Sequence, residues 1–175
     1  LSDPQTKRAS ISGASFPLDF SLISFLIVDD QPFSRRLVRS ILTGFGSREV
    51  YESANGDEGF ELARTVLPSI IITDIVMPAA NGLRFIGSVK APDAPTHKIP
   101  VIVLSGYLTK TATMALTDSG VDELLVKPVS PKVLYEHISR IVLRRDPSNA
   151  PAGFLENQKR RADLNRKKSA DVTFL

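Results

Sequence analysis

Five short strand-like runs, four of them almost wholly apolar and each ending at a polar residue, set the strictest limit on what this chain can fold into. They span about residues 24–28, 48–53, 69–73, 101–104 and 123–126. A strand with one wet face alternates apolar and polar residues; a strand buried on both faces reads as a continuous apolar run. Between the runs the apolar residues fall at helical spacing. Strand and helix in strict alternation predict an α/β fold: a five-stranded parallel sheet with helices on both faces. Right-handed crossovers leave few topologies, and the flavodoxin-like order 2-1-3-4-5 fits best.

The helical segments carry their own signals. Pro32 suits a first turn, with Phe33, Leu37, Ile41 and Leu42 as the inner stripe and Gly44 and Gly46 as the stop. Asn55-Gly-Asp-Glu58 reads as a capped start, with Phe60, Ala63 and Leu67 facing inward. A loop from Ile75 to Ala80 leads to a helix over about 81–90, and another is expected over about 109–118. Ser130-Pro131 opens the last helix, whose stripe is Leu134, Ile138, Ile141 and Val142.

This pattern assigns residues 22–145 to one domain. Residues 1–21 are rich in Ser, Pro and Gly and read as a flexible arm, although SFPLDFSLIS is apolar enough to dock on something. Residues 146–175 form a basic tail, flexible or partly helical, too short for a second domain. The charge is split accordingly: 144–175 holds eight Lys/Arg against four Asp/Glu, while 1–143 holds fourteen against fifteen. With no cysteine, disulfides, thiolate catalysis and Cys-ligated metals are excluded. No apolar run reaches the roughly 18 residues of a membrane span, and no signal-peptide core is seen, so a cytoplasmic location is expected.

The polar residues that close the runs carry the chemistry. Asp29 and Asp30 follow the first, Asp74 the third, Ser105 the fourth and Lys127 the fifth. A parallel sheet gathers these ends on one edge, where ligands of such folds sit. Two like charges about 4 Å apart repel by roughly 4 kcal/mol at an effective dielectric of 20. One lysine cannot neutralise three aspartates, whereas Mg²⁺, a hard cation that keeps several waters, can. An aspartate so placed can act as a nucleophile toward phosphorus, with the lysine neutralising the phosphoryl oxygens. Asp74, alone on the central strand, suits the acceptor; the Asp29-Asp30 pair suits a metal clamp.

Taken together, LIVDD (26–30), DIVMP (74–78) with Gly82 beyond it, LSG (104–106) and GVDELLVKP (120–128) resemble the receiver domain of two-component response regulators. The resemblance implies that a histidine kinase or phosphotransfer protein phosphorylates Asp74. It implies Mg²⁺ held by Asp30, Asp74 and the backbone carbonyl of Val76, with Asp29 acting through water. Lys127 would contact the phosphoryl group, Ser105 would move to bond it, and the bond before Pro128 would be cis. The output would be a protein-binding surface over about 109–143, which also admits a symmetric homodimer. One departure stands out: receivers usually carry Tyr or Phe three residues before the lysine, and here that position is Leu124. Tyr107, two residues after Ser105, is a candidate substitute.

Other readings are weaker. Asp29 and Asp30 could merely cap the helix beginning near Pro32. A dehalogenase-type phosphatase also uses an aspartate nucleophile with Mg²⁺, but wants a second aspartate where Val76 stands. The chain is therefore expected to catalyse only its own phosphoryl transfer and dephosphorylation, not to be an enzyme on other substrates. His97 and His137 read as surface or half-buried residues. A phosphorylation-independent adaptor acting through Lys159-Arg160-Arg161 and Arg166-Lys167-Lys168 on nucleic acid or protein is the alternative. No aromatic residue is interleaved there to stack on bases, so nucleic acid is disfavoured, and no membrane insertion is expected.

Overall fold

The computed structural model describes residues 18–77, 82–106, 116 and 118–145. Its strands are β1 (Phe25–Val28), β2 (Val50–Ser53), β3 (Ile70–Asp74), β4 (Val101–Ser105) and β5 (Glu123–Val126). They form one parallel sheet in the order β2-β1-β3-β4-β5. Every residue of β1, β3 and β4 is buried, as continuous apolar runs require. The described helices are α1 (Pro32–Gly44), α2 (Gly56–Val66), α3 (Gly82–Lys90) and α4 (Pro131–Arg145). The helix expected over about 109–118 and Tyr107 fall largely outside the described residues. The tail from 146 onward lies outside them altogether.

Alternation along the strands builds two apolar layers. Phe25 and Ile27 of β1 join Val38, Ile41 and Leu42 of α1 and Leu134, Ile138 and Ile141 of α4 on one side. Leu26 and Val28 join Ala63 of α2, Phe85, Ile86 and Val89 of α3, and Leu116 on the other. The α1 stripe differs from the expected one: Phe33 is 72% exposed and Leu37 is also exposed, while Val38 is buried. The stripe that faces the sheet is 38, 41 and 42, which turns 33 and 37 outward. In α2, Asn55 caps as expected, its Oδ1 accepting from the Glu58 N–H at 2.9 Å, with Asp57 and Glu58 in the first turn. Leu67, expected to face inward, instead follows the helix in a left-handed conformation (φ 44°) and is exposed. At that helix end the chain direction reverses, which takes Leu67 off the inward stripe.

The arm does not extend to residue 21. Phe20–Leu22 form a 3₁₀ turn capped by Asp19, whose Oδ1 accepts from the Ser21 N–H at 3.0 Å. Leu18 and Phe20 are buried in the α1–α4 layer. The Phe20 ring lies 5.0 Å from Phe45, 5.7 Å from Tyr135 and 6.3 Å from Phe25. This is the docking that the apolar content of SFPLDFSLIS called for.

Two polar anchors hold the outer strand. The Lys90 ammonium at the end of α3 donates to the Ile99 carbonyl at 2.9 Å and to Asp122 at 3.1 Å, and Asp122 also accepts from the Val101 N–H at 2.9 Å. On β5, Glu123 receives His137 at 2.7 Å, Arg140 at 3.2 Å and Arg144, all from α4. His137 is thus half-buried, as expected, and hydrogen-bonded to Glu123.

Phe20→Ala should cost about 3 kcal/mol of unfolding free energy. Urea denaturation checks this, and a loss below about 1 kcal/mol would exclude the ring from the cooperative core.

Candidate functional site

The sheet order brings the five predicted residues to one edge. Asp29 and Asp30 follow β1, Asp74 closes β3, Ser105 closes β4 and Lys127 follows β5. Asp29, Asp74 and Ser105 are 3%, 4% and 0% exposed, so two carboxylates and a hydroxyl are withdrawn from water. Buried charges need partners, and Lys127 supplies one. Its ammonium donates to Asp29 Oδ2 at 2.7 Å and Asp74 Oδ2 at 2.5 Å. The lysine is set by its own backbone, whose N–H donates to the Ser105 carbonyl at 2.8 Å; the Lys127–Pro128 peptide is cis.

Each aspartate has a different surrounding. Asp74 Oδ1 accepts from the Val76 N–H at 2.9 Å. Val76 turns its side chain outward, and the loop behind it passes close to α3. A Cβ on Gly82 would stand 2.5 Å from both the Asp74 carbonyl oxygen and the Ile75 Cα. Only glycine permits that approach, which seats the loop against the helix start. Asp29 is tied into the start of α1: its Oδ1 accepts from the Gln31 N–H at 2.8 Å and its Oδ2 from the Ser34 hydroxyl at 2.5 Å. Arg35 donates to the Asp29 carbonyl at 2.5 Å. Asp29 thus braces the start of α1 without capping it, since Gln31 is the N-cap and no side chain caps the helix, and the same carboxylate also receives Lys127. Asp30 is half-buried, and its Oδ1 is buried without a hydrogen-bond partner.

Burial works against the Lys127 ammonium. Hydrogen bonds to Asp29 and Asp74, and their charge, outweigh it and hold the group above the ordinary lysine value of 10.5. Lys127 is therefore charged at neutral pH.

The donor set suits a hard cation. The orphaned Asp30 oxygen is a buried oxygen donor without a hydrogen-bond partner, and oxygen donors suit a hard cation. Among the described residues, no three carboxylate or imidazole groups stand close enough to enclose an ion by themselves. Mg²⁺ asks for only one or two carboxylates, with water completing its shell. Asp30 and Asp74 are the residues that fit.

Leu124 packs half-buried against the apolar layer that contains Leu116. The register pairs it with Val103, and the next position but one pairs Ser105 with Val126, so Leu124 and Ser105 share a sheet face. Ser34 and Arg35 were not singled out from sequence, although both contact Asp29. The available signal was their place in the first turn of a helix that starts directly beyond the aspartate pair.

Lys127→Met leaves two buried carboxylates without their cation and should cost about 2 kcal/mol of stability at neutral pH. Because the folded lysine value is raised, the contribution is fully present below 10.5 and lost as pH climbs through the folded value. Denaturation of both proteins from pH 7 upward checks this: the gap should stay constant to about pH 10 and then shrink.

Residues 25–139 match the response regulator receiver domain family. Chemotaxis protein CheY1 of Helicobacter pylori is 30% identical over 125 residues, covering 71% of this chain and all of that protein. Response regulator Rre1 of Synechocystis is 33% identical over 131 residues; the match covers 75% of this chain but 56% of Rre1. Among solved structures, chemotaxis protein CheY4 of Vibrio cholerae superposes with a TM-score of 0.63 at 27% identity, over 67% of this chain and 97% of that one. The N-terminal domain of the Wolinella succinogenes protein WS1339 gives 0.62 at 31% identity, over 71% and 99%. With its five strand-end residues on one edge and its sheet in the order these relatives share, the chain belongs to the response regulator receiver domain family.

Proposed function

We propose that this receiver accepts a phosphoryl group on Asp74 from the phosphohistidine of a kinase or phosphotransfer protein, with Mg²⁺ as cofactor. The observation that carries the reading is the Asp74 carboxylate itself. It is 4% exposed, closes the central strand, and is held by the Val76 N–H and the Lys127 ammonium. A carboxylate oxygen attacks phosphorus, an O–P bond forms, the N–P bond of the donor breaks, and the imidazole leaves with the electron pair. Lys127 already sits at hydrogen-bond distance from the reacting side chain and neutralises charge on the phosphoryl oxygens as they arrive. Ser105 closes the strand beside Asp74 and offers its hydroxyl to one of those oxygens. Asp30, Asp74 and the Val76 carbonyl would hold Mg²⁺, with Asp29 acting through water. Bound there, the ion offsets the repulsion between carboxylate and phosphoryl group.

The reaction is limited to the chain's own phosphoryl transfer and hydrolysis. The output is a change at a protein-binding surface over about 109–143, where a downstream target or a second copy docks. Among the described residues no helix is long and apolar enough to cross a membrane, and a cytoplasmic setting suits the proposed donor. Leu124 carries no ring to swing, so the surface responds through aliphatic packing at that point.

Incubation with a small acyl phosphate and Mg²⁺ should add one phosphoryl group by intact mass. Asp74→Asn, or removal of Mg²⁺ by chelation, should abolish it. Folded wild-type protein that takes up no phosphoryl group would falsify the reading.

A further inference from the structure

The three aspartates are not equally available to a cation. Asp29 receives three hydrogen bonds on its carboxylate: Gln31 N–H at 2.8 Å on Oδ1, and the Ser34 hydroxyl at 2.5 Å and Lys127 ammonium at 2.7 Å, both on Oδ2. Asp74 receives one on each oxygen. Asp30 has an oxygen with none. An ionised carboxylate offers about four lone-pair sites, so Asp29 has nearly all of its own filled. Its backbone is fixed as well, because Arg35, braced against Glu52 at 3.6 Å, holds its carbonyl.

We propose that Ser34 is a positioning residue that reserves Asp29 for Lys127 and keeps it out of the cation's coordination. The inference rests on the reading that this edge binds Mg²⁺. Ser34 lies in the first turn of α1, where a side chain ordinarily faces solvent or caps the helix. Its hydroxyl instead turns back five residues onto Asp29 Oδ2, the same atom that holds the ammonium. The hydroxyl occupies a lone pair and fixes the carboxylate's rotation. Without it, Oδ2 has an open site and the side chain can turn toward a cation at Asp30. Lys127 then loses the orientation of one of its two anchors. The serine thus trades cation affinity for a lysine held ready beside Asp74.

A purely structural staple between Asp29 and α1 would change stability and leave cation affinity alone. The two are separated by Mg²⁺ titration of the full chain, followed through the amide resonances around Asp30 and Asp74, with thermal unfolding alongside. Ser34→Ala should tighten the Mg²⁺ dissociation constant by about threefold to tenfold, a fraction of the worth of one charge-assisted hydrogen bond. Ser34→Thr, which keeps the hydroxyl, should stay within about twofold of wild type. In an Asp29→Asn background, Ser34→Ala should have no further effect on the constant. An unchanged or weaker constant in Ser34→Ala, a Thr variant that behaves like Ala, or no Mg²⁺ binding by any of the proteins overturns the proposal. If the titrations follow the expected order while none of the proteins takes up a phosphoryl group, the assignment of Ser34 stands and the phosphoryl reading falls.

Discussion

Everything at the sheet edge depends on one ammonium shared between two buried carboxylates. Lys127 bridges Asp29 and Asp74, which come from different strands and are separated from it by 98 and 53 residues. Such a bridge forms only if β1, β3 and β5 end at the same level, which requires the parallel register that the sheet shows. A slip of one residue in β5 would carry the lysine to the opposite face and leave both carboxylates unpaired. The lysine's own backbone bond to Ser105 ties that register to the fourth strand end. The charge cluster is costly to bury, and two deep apolar layers beneath it hold the strands that impose it.

The bridge also explains why the site is asymmetric. A single cation cannot serve three anions, and the geometry resolves the shortage by rank. Asp29 takes the lysine and two further donors, Asp74 takes the lysine and one amide, and Asp30 keeps an oxygen unserved. The one carboxylate oxygen of the three aspartates that is buried without a hydrogen-bond partner is thereby Asp30 Oδ1. Gly82 matters for the same reason: it lets the loop behind Asp74 lie flat enough for the Val76 amide to reach Oδ1.

Most of this was legible from sequence because the informative residues sit where apolar runs stop. A strand end is marked locally, and parallel topology converts five local marks into one spatial cluster. What escaped notice depends on contacts between distant segments. Lys90 with Asp122, and Glu123 with His137, Arg140 and Arg144, are ordinary polar residues until α3 and α4 are laid against β5. The α1 stripe was misplaced because Phe33 and Leu37 satisfy helical spacing as well as Val38 does, and only the helix rotation decides between them. Ser34 looked like any polar residue in a first turn. Leu67 fitted the inward period of α2 but lies one step past the helix, where period no longer applies.

The N-terminal turn has a consequence for how far this domain can be regarded as interchangeable with its relatives. The shared pattern begins at residue 25, yet Leu18 and Phe20 complete the layer between α1 and α4. The border of common ancestry and the border of the packed unit therefore do not coincide. Transplanted by its family borders alone, the domain would arrive with Phe45 and Tyr135 stripped of the ring that covers them. The turn that carries Leu18 and Phe20 is thus a lodger in the receiver's core as well as a neighbour in the chain, and what happens to one is mechanically felt by the other.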